Sequence, residues 1–176
     1  LIGAVGRPNA GLCPARGHSN VQGDRTMGIF EKMPSTFHDR LDQVFGFKSP
    51  RNHGCDVVNS ILAMHREPGK AFIALGGNFA QATPDTDFTC EALRKCVLTV
   101  HIATKLNRSH LVPGETALIL PCLARSERDV QDRFPQFVTC ENSMSVVQKS
   151  AGQLEPVSEN LQSEIAIIAA IAQATV

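Results

Sequence analysis

Three short apolar runs, at 70–75, 97–102 and 117–121, constrain this chain more than any other feature. Each is too short to make a stable helix, and each is nearly continuous in apolar residues, as strands covered on both faces are. Between the first two, residues 86–95 place Phe88, Ala92, Leu93 and Cys96 on one helical face. Strand, helix, strand in that order reads as a right-handed parallel crossover. Pro121 stops the third run, and 137–140 is a candidate fourth strand. The expected fold class is α/β: a three-layer α/β/α arrangement around a mostly parallel, Rossmann-like sheet.

Further helices are expected at 36–45, closed by Gly46, and after Asp56, whose carboxylate caps a face of Val57, Val58, Ile61, Leu62 and Met64. A helix at 158–174 would start at Ser158 and bury Leu161, Ile165, Ile168, Ala169 and Ala172. At 176 residues and 43% apolar, the chain is expected to be a single α/β domain over 1–176. Its first residue is Leu, which suggests a domain excised from a longer polypeptide. The 17 basic and 17 acidic side chains balance, so a nucleic-acid partner is not expected. No run approaches the roughly 20 apolar residues that span a bilayer.

Six cysteines (Cys13, Cys55, Cys90, Cys96, Cys122 and Cys140) are scattered without zinc or iron–sulfur spacing. They fit a reducing, cytoplasmic setting, with most thiols acting as small buried hydrophobes. No metal-ligand set is evident.

Residues 1–30 form a glycine-rich loop region, with Gly11, Gly17, Gly23 and Gly28 among Arg16, His18, Asn20 and Gln22. Such a segment builds no core, but its backbone donors and polar side chains suit an anionic ligand. Ligands of open α/β sheets bind beyond the carboxyl ends of the strands. Three polar loops fall there: 76–82, opening on Gly76, Gly77 and Asn78; 101–110, with His101, Thr104, Lys105 and His110; and 122–127. Glycines let a ligand approach the backbone, an Asn amide reads a purine edge, and Thr and Lys hold phosphates. This is a nucleotide-type site without the Gly-x-Gly-x-x-Gly run of simple dinucleotide domains. The plainer reading of Gly76-Gly77 is a tight turn.

The run Arg16-Gly17-His18-Ser19-Asn20-Val21-Gln22-Gly23 resembles the Arg-Gly-(His/Gln)-x-Asn-Val-Gln-Gly segment of molybdopterin-dependent oxidoreductases, above all their formate-dehydrogenase-like alpha subunits. The later loops fall in the order that family has them, although Phe79 stands where most members have Pro. The resemblance implies a domain that binds molybdopterin guanine dinucleotide. Two-electron chemistry would occur at molybdenum or tungsten in the full-length protein, with no cofactor expected on the isolated chain. It implies that Arg16 orients a small anionic substrate and that His18 hydrogen-bonds near the metal. Asn20, Gln22, Gly23, Gly76, Gly77, Asn78, His101, Thr104 and Lys105 would contact the cofactor. The metal ligand would come from the remaining domains of the same polypeptide. Against these roles, Arg16 pairing with a pterin phosphate or a nearby carboxylate and a structural His18 remain open. So do a non-catalytic nucleotide-binding module and a stand-alone sensory or interaction domain with degenerate loops.

Overall fold

The computed structural model describes residues 3–11, 17, 18, 20–29 and 32–175. Cys13 and Arg16 lie outside them. In chain order the elements begin with helices α1 (Val21–Thr26), α2 (Ser35–Phe45) and α3 (Val57–Arg66), then strand β1 (Ala71–Leu75). Helices α4 (Phe79–Ala82) and α5 (Thr86–Arg94), strand β2 (Leu98–Ala103), a 3-10 turn at Arg108–Leu111 and strand β3 (Thr116–Pro121) follow. Short strands β4 (Val130–Gln131), β5 (Phe134–Pro135), β6 (Val138–Glu141) and β7 (Val147–Ser150) precede the last helix, α6 (Glu164–Thr175). The chain divides into two compact units, residues 1–33 with 138–150, and residues 34–137 with 151–176.

The smaller unit joins α1 to the antiparallel β6–β7 hairpin. The expected loop at 1–30 thus contains a short helix, and the fourth strand belongs to this hairpin and not to the parallel sheet.

The larger unit is built on the parallel sheet β1-β2-β3. Phe72 stands opposite Thr99, and Val100 opposite Leu118, so side chains alternate between the two faces. A core of Ile61, Met64, Ala80, Ala92, Leu93, Cys96 and Val112 packs against Phe72. A second core joins Val100, Ile102 and Cys122 to Ile167 of α6, with Leu98 and Leu120 beside them. The class is mixed α/β with a three-stranded parallel sheet.

Local signals placed several boundaries well. Asp56 Oδ1 accepts from the Asn59 amide at 2.8 Å, and Gly46 closes α2 in the left-handed conformation at φ 71°. Burial was read less well. Among the described residues only β2 has a strand on each side; β3 is almost wholly exposed, and β1 alternates between exposed and half-buried. Val57 and Val58 are also exposed, leaving Ile61 and Met64 to anchor α3. At the last helix the phase differs. Ser158 accepts from the Asn160 amide in a turn, whereas Ser163 Oγ accepts from Ala166 N at 3.3 Å to start α6. Ile167 is the buried residue, and the stripe of Ile165, Ile168, Ala169 and Ala172 is exposed.

One close approach is testable. A Cβ on Gly114 would run into the Cys96 carbonyl, while the Gly114 amide donates to buried Thr99 Oγ1 at 3.2 Å. Gly114→Ala is therefore expected to destabilise the larger unit by about 1–3 kcal/mol through overpacking. Gly54→Ala, with open space around it, is the control. Chemical denaturation of both variants checks this, and equal midpoints would refute it.

Candidate functional site

The carboxyl end of the parallel sheet gathers the loops singled out from the sequence. Gly76 and Gly77 both take left-handed backbone, at φ 63° and 68°, as glycine does at little cost. The Gly76 amide donates to Ile102 O at 2.8 Å and ties the end of β1 to β2. Asn107 Nδ2 donates to Gly77 O at 2.6 Å. Nothing lies within 4 Å of where a Gly77 Cβ would be, so this exposed turn is open to an approaching group.

Asn78 is fixed from both sides of its amide. Its Oδ1 accepts from Ser109 Oγ at 3.0 Å, and its Nδ2 donates to Gln81 Oε1 at 3.0 Å. Ser109, only 1% exposed, also accepts from the Ala80 amide at 2.9 Å. Asn107 Oδ1 accepts from Ser109 N, and the Asn107 amide donates to His110 Nδ1 at 3.0 Å. Two loops about 30 residues apart in sequence are thereby held as one rigid rim.

His101 lies within β2, not in the loop after it, and is buried. Its ring is 4.6 Å from that of His110 and edge-on to Phe72 at 6.2 Å. The Nε2 atoms of both histidines are buried without a hydrogen-bond partner among the described residues. Burial pushes the His101 pKa down, and the neighbouring His110 adds to the effect. Thr104 and Lys105 follow β2 directly and are exposed.

A pH dependence follows from that burial. A histidine whose folded pKa is depressed resists protonation, so the unfolded chain binds the extra proton. The stability is fully present above the unfolded value of about 6.5 and declines as pH falls below it. Stability is therefore expected to drop on acidification through that window, and less steeply in His101→Phe. Parallel slopes for the two proteins would remove His101 from this role.

Sequence reasoning missed several residues here. Asn107 and Ser109 passed as generic loop polarity, and His110 was left unassigned. Glu164 opens α6 with its carboxylate 3.8 Å from the Cβ position of Gly76. Burial, with Glu164 and Glu127 nearby, pushes the Cys122 thiol pKa up. Glu127 itself is structural: its carboxylate accepts from the Ala124 amide at 2.6 Å and the Val157 amide at 3.3 Å.

The smaller unit holds the other expected site residues. Asn20 Oδ1 accepts from the Glu141 amide at 2.9 Å. Gln22 Nε2 donates to Glu141 Oε1 at 3.0 Å and to Ser145 Oγ at 2.9 Å. Thr26 Oγ1 donates to Glu141 Oε2 at 2.7 Å. Glu141 is buried, and no local motif near it flagged this role. A Cβ on Gly23 would collide with the Asn20 amide, so glycine is what lets Asn20 reach the hairpin. His18 is exposed. Arg16, the expected substrate-orienting residue, lies outside the described residues.

Among the described residues no group of three or more His, Cys, Asp or Glu side chains could hold a metal ion. None of their helices is long and apolar enough to cross a membrane. No family model matches the chain. A protein of Mycobacterium tuberculosis named an uncharacterized oxidoreductase is 56% identical over 174 residues, 99% of this chain and 22% of that protein. Protein YdeP of Escherichia coli is 48% identical over 174 residues, 99% of this chain and 23% of its own length. The formate dehydrogenase major subunit of Haemophilus influenzae is 29% identical over 86 residues, 45% of this chain and 8% of that subunit. The chain is oxidoreductase-related. It spans about a fifth of the length of the curated relatives it matches most fully, as a domain of a larger polypeptide would.

Proposed function

We propose that the chain is a molybdopterin-guanine-dinucleotide-binding domain of a cytoplasmic, formate-dehydrogenase-like oxidoreductase, built as a three-layer Rossmann-like unit. The observation that carries the reading is the open Gly76–Gly77 turn at the carboxyl end of β1, held by Asn107 and flanked by exposed Thr104 and Lys105. Two structural features support a dinucleotide at this site. The Gly77 turn leaves free space for a close backbone approach, and the rim around it is rigid and polar. When bound, the cofactor would supply two-electron redox chemistry at molybdenum or tungsten.

The chain's own residues position and hold. Gly76 and Gly77 would offer backbone to the nucleotide end, and the exposed Thr104 and Lys105 would hold its phosphates. Asn78, already bonded to Ser109 and Gln81, sets the shape of the rim, and His101 supports it from within the sheet. Asn20 and Gln22 anchor the start of α1 to Glu141. Arg16 would orient a small anionic substrate through its planar donor fork, and His18, which is exposed, would donate or accept a hydrogen bond to that substrate.

Metal and pterin analysis of the full-length polypeptide tests the reading directly. Molybdenum or tungsten together with pterin supports it. A full-length protein purified with neither refutes it and favours a non-catalytic nucleotide-binding module. The rim is separately testable on the 176-residue chain by titrating GMP or GDP and following amide shifts. Shifts at Gly76, Gly77, Thr104 and Lys105 are expected, and none at millimolar nucleotide would count against the site.

A further inference from the structure

Helix α6 is apolar nearly all round. Its sequence from Glu164 to Thr175 carries a single charged side chain, Glu164. One side packs into the sheet through Ile167 and Ile171, against Val100 and Ile102. The other side presents Ile165 and Ile168, 57% and 39% exposed, with Ala169 and Ala172 in the same stripe. A helix apolar on every side belongs between two layers, not at a surface. The sheet face that α6 covers is also bare at its margins. Register puts Ile73 and Leu75 of β1 and Leu118 of β3 on the same face as Val100 and Ile102. Those three are each about half exposed, at 49%, 52% and 49%. Parallel sheets are normally covered on both faces, and uncovered apolar patches of this kind mark interaction surfaces.

We infer that the outer stripe of α6, with the bare margins of this sheet face, is an interface that seats an apolar layer from the remainder of the same longer polypeptide. Three observations favour that occupant. The relatives that match 99% of this chain are more than four times its length, since the match covers only 22% of them. Most of such a polypeptide therefore lies beyond these residues. No patch residue is charged, so an acidic or basic partner finds nothing to pair with. The side chains are small and branched aliphatics, the composition of a layer interior.

The inference rests on the longer-polypeptide part of the proposed function and not on its cofactor, so the two fail separately. Hydroxyl-radical footprinting read by mass spectrometry tests it without substitutions. The full-length polypeptide and the 176-residue chain are compared at equal, dilute concentration. Leu111 and Val157, 79% and 88% exposed, serve as reference positions. Oxidation of Ile73, Leu75, Ile165 and Ile168 is expected in the short chain and lost in the full-length polypeptide. Equal oxidation in both overturns the inference, because the face is then open. Protection already present in the dilute short chain overturns it in favour of cover from within these 176 residues. Protection that grows with concentration of the short chain assigns the face to a second copy. Loss of oxidation in a full-length protein lacking pterin would keep this interface and remove the cofactor reading alone.

Discussion

In the full-length polypeptide, Arg16→Lys is expected to lower turnover by on the order of 100-fold, the cost of a small misplacement near the chemistry, while metal and pterin content stay unchanged. Lysine keeps the positive charge but is a point donor on a flexible stem. Arginine presents a planar fork that matches a carboxylate at two oxygens at once. If Arg16 orients an anionic substrate, the lysine variant binds it with poorer aim, and the loss appears in kcat per bound metal. If Arg16 instead holds a pterin phosphate, lysine serves nearly as well chemically, and any loss appears as reduced pterin content with normal activity per metal. Measuring turnover, metal and pterin on one preparation separates these patterns. Normal activity per metal would remove Arg16 from the substrate site.

What the sequence made legible was local. The apolar runs marked β1, β2 and β3 because short, nearly continuous apolar stretches are what buried parallel strands use. Asp56 and Gly46 fixed helix ends because capping chemistry acts within a few residues. What stayed illegible depends on partners distant in the chain. Ser109 meets Asn78 across 31 positions, and Gln22 meets Glu141 across 119, with no local pattern announcing either. Nor can periodicity say which apolar stripe of a helix faces which neighbour. In α6 it picked out Ile165, Ile168, Ala169 and Ala172, whereas Ile167 is the residue the sheet buries. The candidate site divides the same way. Gly76, Gly77, Thr104 and Lys105 could be placed by their position after strands, but the parts played by Asn107 and Glu164, and the pairing of His110 with His101, enter only through the fold.

The second large effect expected is complete loss of metal when the chain is separated from the longer polypeptide. A tight site needs several polar groups converging from different directions and burial of most of the ligand surface. The described residues offer one rim at the sheet end and no convergent set of metal ligands. Burial pushes the Cys96 and Cys122 thiols up. Of the other described cysteines, Cys55 is exposed and Cys90 and Cys140 are half-buried, and none joins a group of three or more potential ligands among the described residues. The full-length polypeptide should therefore purify with molybdenum or tungsten at near one metal per chain, and the 176-residue chain, expressed in the same host and assayed by the same elemental analysis, with none. Stoichiometric metal on the short chain would overturn this expectation and place a complete site within the 176 residues.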